Sequence, residues 1–285
     1  MTAREQRRLR TVHRRAADGF GSADFVHART RHSLLERLQW AALQPAVVLD
    51  LGAGQCPAAD ELRHRYPDAR ILAVDHAPEM LAKTAGVERV CAEATRLPLP
   101  DASVDLIFCN LMLAYCRDPA PILAEVRRIL APHGLFSFTT LGQESFRELR
   151  AAWSGLDRFV HLPPHPDMHS LGTLLQQAGL VETVLDSDYI SVSYQDFSRL
   201  AVDLRAVGSA NHSPRRNPGL TGRTSYHRLV ESANRMRGSD GRFAVTLQIV
   251  YGLSWAAQRQ HAGPEQEFSV PLSTLSRHRP DQDPQ

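Results

Sequence analysis

Lysine is nearly missing from this chain. Lys83 stands alone among 33 basic residues, and the others are arginine. Arginine is the better planar fork for carboxylates and phosphates, but so uniform a bias reads as the habit of a GC-rich genome. No apolar run reaches the roughly 18 residues of a membrane-spanning helix, and no secretory apolar stretch follows the N-terminus. Cysteine is scarce: Cys56, Cys91, Cys109 and Cys116 are the four, and none stands in a CxxC pair. That pattern argues against structural zinc and implies free, mostly buried thiols in a reducing cytoplasm. Net charge is also small, with 33 basic against 31 acidic residues in 285, so a dedicated nucleic-acid binder is not expected. The 43% hydrophobic content is ordinary for a globular protein, and the length suits one large domain or a domain with a cap.

The small total hides two basic segments. Residues 1–15 carry six Arg against Glu5, and residues 196–242 carry nine Arg against Asp196, Asp203, Glu231 and Asp240. The first segment lacks the serine enrichment and the apolar face of a transit peptide, so it reads as the start of a basic helix.

Residues 1–45 are expected to be helical, with a capping box from Ser33 to Glu36 and a stop at Pro45. Val47 to Leu51, Ile71 to Val74, Val90-Cys91, Val104 to Asn110 and Leu135 to Thr140 are apolar runs suited to buried strands. Helical stretches separate them: one to about Tyr66, one opened by Pro78, and one from Pro119 to Leu130. Pro132-His133-Gly134 reads as a turn. Such alternation predicts parallel strands joined by crossover helices. After about residue 150 the pattern changes. Pro163, Pro164 and Pro166 mark a loop, and Met168 to Ala178 reads as a helix. Val181 to Tyr194 alternates like an antiparallel strand or hairpin, 196–240 is polar and partly helical, and Phe243 to Tyr251 is a last strand. His161, His165 and His169 are spaced by four, but the prolines break any helix that would align them, so no metal site is expected.

The chemistry centres on Asp50-Leu51-Gly52-Ala53-Gly54, directly after a buried strand. Glycines here let the backbone approach a ligand without a Cβ in the way. Asp75 closes the next strand, where a carboxylate can accept from both hydroxyls of a ribose. A dinucleotide-binding loop would carry a third glycine, but the sixth place is Pro57. Asp50 would also repel a phosphate. An acid there suits a cationic nucleoside, and S-adenosylmethionine carries an amine and a sulfonium but no phosphate.

The stretches VLDLGAG, LAVDHAPEML and AEATRLPLPDASVDLIFCNLML resemble a class I SAM-dependent methyltransferase: an α/β, Rossmann-like, seven-stranded sheet, mostly parallel, the last strand antiparallel, with a helical cap. The resemblance implies S-adenosylmethionine as cofactor. It implies that Asp50, Gly52 and Gly54 line the methionine end, that Asp75 holds the ribose, and that His76 and Met80 flank the adenine. Glu93 stands near the adenine amine, where such proteins usually have Asp, and Asn110 lies beside the point of methyl transfer. Cys56 takes the place where many have a third glycine.

Asn110 to Cys116, Leu135 to Trp153, Pro166 to His169, Asp203 to Gly208, Leu220 to Arg223 and Ile249 to Gly252 resemble the malonyl-acyl-carrier-protein O-methyltransferase family of biotin (pimeloyl) synthesis. That implies an enzyme methylating a free carboxylate, with acyl carrier protein as partner and neither membrane, metal nor nucleic acid. The same segments resemble the mitochondrial assembly factor of respiratory complex I. The alternatives are therefore a SAM-dependent transferase or hydroxylase on another acceptor, or a non-catalytic assembly relative. Phe20 stands where the family commonly has an aromatic–Asp pair or a tyrosine, and it can shield a sulfonium by cation–π contact. Tyr115 replaces the usual tryptophan. Charge annihilation between carboxylate and sulfonium favours a water-free site, hence a lid. Arg205, Arg215, Arg216 and Arg223 are candidates to steer the carboxylate, Arg205 first. The expected organisation is a helical segment over 1–45, the SAM-binding core over 46–195, the cap over 196–242, the last core strand over 243–262 and a partly disordered tail over 263–285. Residues 1–15 and 196–242 together would form a basic rim for an acidic carrier protein.

Overall fold

The computed structural model describes residues 3–83, 86–209, 211, 213 and 215–258; the expected tail lies outside them. Two helices lead, α1 (Ala3–Ala16) and α2 (Phe25–Arg37). Then β1 (Val47–Leu51), α3 (Ala59–Arg65), β2 (Arg70–Asp75), α4 (Pro78–Leu81), β3 (Glu88–Cys91), β4 (Val104–Cys109), α5 (Ala120–Ile129) and β5 (Leu130–Leu141) alternate as the apolar runs predicted. α6 (Arg147–Trp153), α7 (Met168–Gln177), β6 (Leu180–Tyr194), α8 (Phe197–Ala206), α9 (Arg223–Arg235) and β7 (Phe243–Ala256) complete the chain. The seven strands form one sheet in the order β3-β2-β1-β4-β5-β7-β6, with β7 antiparallel to both its neighbours.

Val48, Leu49 and Leu51 of β1 and Leu106 to Cys109 of β4 are wholly buried, which is why these strands lack polar alternation. α5 covers one face with Ile122, Leu123, Val126 and Ile129, a spacing that puts all four on one side of the helix. α9 packs on α6, with Leu229 and Ala233 joining Leu149 and Ala152 in a shared core. α7 and α8 start on aspartate caps: Asp167 accepts from the Ser170 amide and Asp196 from the Ser198 amide, both at 2.8 Å.

Four local expectations are corrected. Ser33 is not an N-cap but sits inside α2, which begins eight residues earlier after Asp24. That helix ends at Arg37, well before Pro45. Pro132-His133-Gly134 does not separate two elements. It is a bulge within β5, with His133 at φ 62°, where the register jumps from Val104 opposite Leu130 to Leu106 opposite Leu135. Cys91 is exposed, because β3 is an edge strand.

Candidate active site

Strand order reverses between β1 and β4, whose neighbours lie on opposite sides, and such a switch point opens a crevice at the carboxyl ends of the strands. Backbone in the sparsely populated left-handed region gathers at the strand ends: Gly52 and Gly54 after β1, Leu111 after β4 and Phe146 after β5. Cys56 is also left-handed at φ 56° and buried, so the place where the resemblance expects glycine does need glycine-like backbone. Its thiol packs with Ala53, Ala59, Ala73 and Leu81.

The loop after β1 is held by Asp75. One carboxylate oxygen accepts from the Gly54 amide at 2.9 Å and the other from the Ala77 amide at 2.8 Å. Each oxygen keeps a lone pair for a further donor. A Cβ on Gly52 would lie 2.5 Å from Met112, whereas Gly54 faces open space. Asp50 is 3% exposed, and its Oδ2 has no hydrogen-bond partner. Burial and the nearby Asp75 charge push its carboxyl up to about 7, against the opposing pull of Arg31.

α1 roofs the β2–β3 side of this crevice. Arg10 pairs with Glu93 at 2.6 Å, and Lys83 pairs with Asp18 just beyond the helix at 2.6 Å. His13 Nδ1 lies 3.0 Å from His76 Nε2, with the rings stacked. The Gln55 amide of the glycine loop donates to Ala17 O at 2.6 Å. Phe20 packs beside Ala16, Ala17, Ala77 and Met80 and meets His27 edge-on at 5.0 Å.

α2 closes the other side through Asn110. The Asn110 carbonyl oxygen accepts from Thr30 and Thr139, each at 2.8 Å, and its amide donates to His27 O at 2.9 Å. Asn110 thus clasps α2 to β4 and β5. Tyr115 is buried, and burial pushes its phenol well above the usual range. Its hydroxyl is 3.2 Å from Val207 O and 3.2 Å from His27 Nε2. The phenol has one proton; donating it to Val207 O makes His27 Nε2 the other donor. His27 Nδ1 is then an unpartnered, buried acceptor. Burial, with the Arg31 charge one turn away, holds this imidazole down at about 4, so it is neutral. The C-terminal end of α8 meets α1 here as well: a Cβ on Gly208 would come within 2.5 Å of the His13 ring.

The structure therefore brings together Phe20, Asp50, Gly52, Gly54, Asp75, His76, Met80, Asn110 and Tyr115, with Glu93 at the α1 edge. Arg205 lies in the last turn of α8, two residues before Val207, with its side chain exposed. Arg215 and Arg223 are exposed, and Arg216 bonds Asn217 O at 2.8 Å. The loop before α7 is tied to this part of the cap: the Val160 amide donates to Arg215 O at 3.0 Å. His161 stacks on Trp153 and pairs with Asp157 at 2.8 Å. Among the described residues no group of three His, Cys, Asp or Glu is placed to hold a metal, and no helix is long and apolar enough to cross a membrane. Sequence reasoning missed His13, His27, Thr30, Arg31 and Thr139. The signal for the α2 group was its i, i+3, i+4 spacing, which puts His27, Thr30, Arg31 and Leu34 on one face.

A sequence profile of a methyltransferase domain matches residues 49–138, the span from β1 into β5. A malonyl-[acyl-carrier protein] O-methyltransferase of Gallionella capsiferriformans is 34% identical over 88% of this chain and 91% of its own. One of Halorhodospira halophila, of the same description, is 37% identical over 84% of each. This chain belongs to that family of methyltransferases. The YcgJ protein of Bacillus subtilis shares the fold, with a TM-score of 0.58 at 16% identity over 80% of this chain and 99% of its own. The family and its class I fold imply S-adenosylmethionine as methyl donor. The residues present fit such a group: a buried carboxylate oxygen without a partner, open space over Gly54, and an acid closing β2 with acceptor capacity to spare.

Proposed function

We propose that the chain methylates the free carboxylate of a malonyl group carried on acyl carrier protein, with S-adenosylmethionine as donor, in the manner of biotin (pimeloyl) synthesis. The observation that carries this reading is the match to relatives of that description over about nine-tenths of both chains. When bound, S-adenosylmethionine supplies an electrophilic methyl on a sulfonium. Asp50 offers its unpartnered oxygen to the donor's amine, Asp75 offers its remaining lone pairs to the ribose, and His76 and Met80 flank the adenine. Glu93 meets the adenine amine while paired with Arg10. Phe20 presents a ring face toward positive charge.

A malonyl carboxylate is ionised at neutral pH, so no residue here has to remove a proton. Alignment and exclusion of water remain, and alignment alone can lower a barrier by roughly 7–11 kcal/mol. Asn110 serves alignment by fixing α2. Tyr115, its hydroxyl engaged by His27 and Val207, contributes a wall. Arg205, at the rim of the same cap, steers the acceptor carboxylate, and the arginines of α1 and the cap greet an acidic carrier protein.

Methyl transfer to malonyl-acyl carrier protein, malonyl-coenzyme A and non-malonyl carrier thioesters tests the reading. Ester formation on the malonyl thioesters alone is expected, and transfer to no malonyl substrate overturns it. Arg205→Ala should raise the KM for the malonyl thioester more than that for the donor.

A further inference from the structure

An open groove of about 490 Å³ lies at the edge of the sheet formed by β6. Phe25 at the start of α2, Tyr194 to Asp196 at the end of β6, Arg199 of α8 and Arg242 just before β7 line it. β6 and β5 are both antiparallel to β7, so they run the same way, and β5 runs with β4 and β1. The end of β6 therefore lies on the crevice side of the sheet, but away from Asp50 and Asp75. Two helices lead from the groove to Tyr115. On α2, Phe25 borders the groove, and His27 meets the Tyr115 hydroxyl. On α8, Arg199, Asp203 and Val207 are spaced by four and share one face. The first two line the groove, and the Val207 carbonyl is bonded by Tyr115. From Arg199 to Val207 is about 12 Å along the helix axis.

The acids of this groove are already engaged. Asp203 meets the Tyr194 hydroxyl and pairs with Arg199 at 3.0 Å, and Asp196 accepts from the amide and the hydroxyl of Ser198. Arg242 is exposed and has no ion pair among the described residues. Arg237 adds a third positive charge and fixes the mouth, donating to Gln195 O at 2.9 Å and to Gly241 O. The mouth therefore favours an anion, the exposed ring of Phe25 favours an apolar segment beside it, and the α8 face leads inward. We propose that this groove seats the phosphopantetheine arm of the malonyl carrier, its phosphate at Arg199 and Arg242 and its thioester end directed along α8 toward Tyr115. This rests on the malonyl-thioester reading and adds the path of the arm to it. Extended, the chain of bonds from phosphorus to sulfur covers the length of that face. The carrier protein's acidic surface is a second source of anionic groups for the same arginines, and small thioesters that lack the protein separate the two.

Steady-state methyl transfer tests it, with malonyl-acyl carrier protein, malonyl-phosphopantetheine and malonyl-pantetheine as acceptors, the last lacking only the phosphate. The wild-type chain should have a lower KM for malonyl-phosphopantetheine than for malonyl-pantetheine. Arg199→Gln with Arg242→Gln should erase that preference, raising the KM for both phosphate-bearing acceptors at least about fivefold and that for malonyl-pantetheine less than about twofold. Arg242→Gln alone, which breaks no ion pair, should show the same pattern to a smaller extent. A change confined to the carrier protein would give the arginines to the carrier's surface and overturn the proposal. So would an equal change for all three acceptors, or none. If the wild-type chain methylates no malonyl acceptor, the acceptor reading itself falls, an outcome distinct from failure to tell the phosphorylated arm from the unphosphorylated one.

Discussion

His13 Nδ1 of α1 lies 3.0 Å from His76 Nε2 at the end of β2, and the two rings stack at 4.9 Å between centroids. One residue comes from the N-terminal helix and the other from the end of β2 at the crevice, so the helix and that end of the crevice are ordered together. His13→Ala removes that stack but leaves Arg10–Glu93 and Lys83–Asp18 in place. The expected result is a several-fold loss of S-adenosylhomocysteine affinity, with faster amide exchange confined to α1 and its contacts. Unchanged exchange in α1 would show that the salt bridges alone seat the helix.

Gly52 and Gly54 both have positive φ, at 74° and 56°, but they differ in what lies beside them. A methyl on Gly52 collides with Met112 near its backbone, so Gly52→Ala should cost about 1–3 kcal/mol of stability and lower Tm by several degrees. A methyl on Gly54 enters open space, so Gly54→Ala carries mainly the left-handed strain of about 1 kcal/mol. That methyl would enter the proposed donor site, so Gly54→Ala should lose proportionally more cofactor affinity than stability. Melting curves paired with binding isotherms for both variants separate the two effects.

The parallel half of the fold was legible because β1, β2 and β4 are buried on both faces and leave continuous apolar runs, β1 running into Gly52 and β2 closing on Asp75. The places of Asp50, Gly52, Gly54 and Asp75 at the ends of β1 and β2 were legible for the same reason. The walls supplied by α1 and α2 were not. His13 and His27 lie on helices before the first strand, and their contacts are with residues 63 and 88 positions away, His76 and Tyr115. Pro132-His133-Gly134 looked like a turn because its residues favour one. The pairing of β5 with β4 on either side of it makes it a bulge instead.

His27 makes stability depend on pH. Its imidazole is held at about 4 in the folded chain and titrates near 6.5 when unfolded. Between those values the unfolded state binds more protons, so stability falls as pH drops from about 6.5 toward about 4. The loss is of the order of 3 kcal/mol if the imidazole stays neutral throughout. His165, also held at about 4, adds a slope of the same sign. Urea unfolding at about pH 7.5 and about pH 4.5 should show that His27→Gln narrows the difference between the two conditions. An identical difference in wild type and variant would assign the slope elsewhere.

Asp50 has the opposite sign. Burial and Asp75 raise its carboxyl to about 7, so the free chain carries it largely protonated on the acid side of neutrality. A cationic ligand favours the carboxylate, so binding should expel a proton there, and affinity for S-adenosylhomocysteine should strengthen as pH rises toward about 7 and then level. The steepest dependence available to one group is about tenfold per pH unit. Calorimetry in two buffers of different ionisation enthalpy reads the proton directly. Asp50→Asn cannot ionise, so it should bind more weakly, release no proton and show a flat profile over the same range. Proton release that survives in Asp50→Asn would move the titrating group to another residue, and Asp75 is the one that faces it.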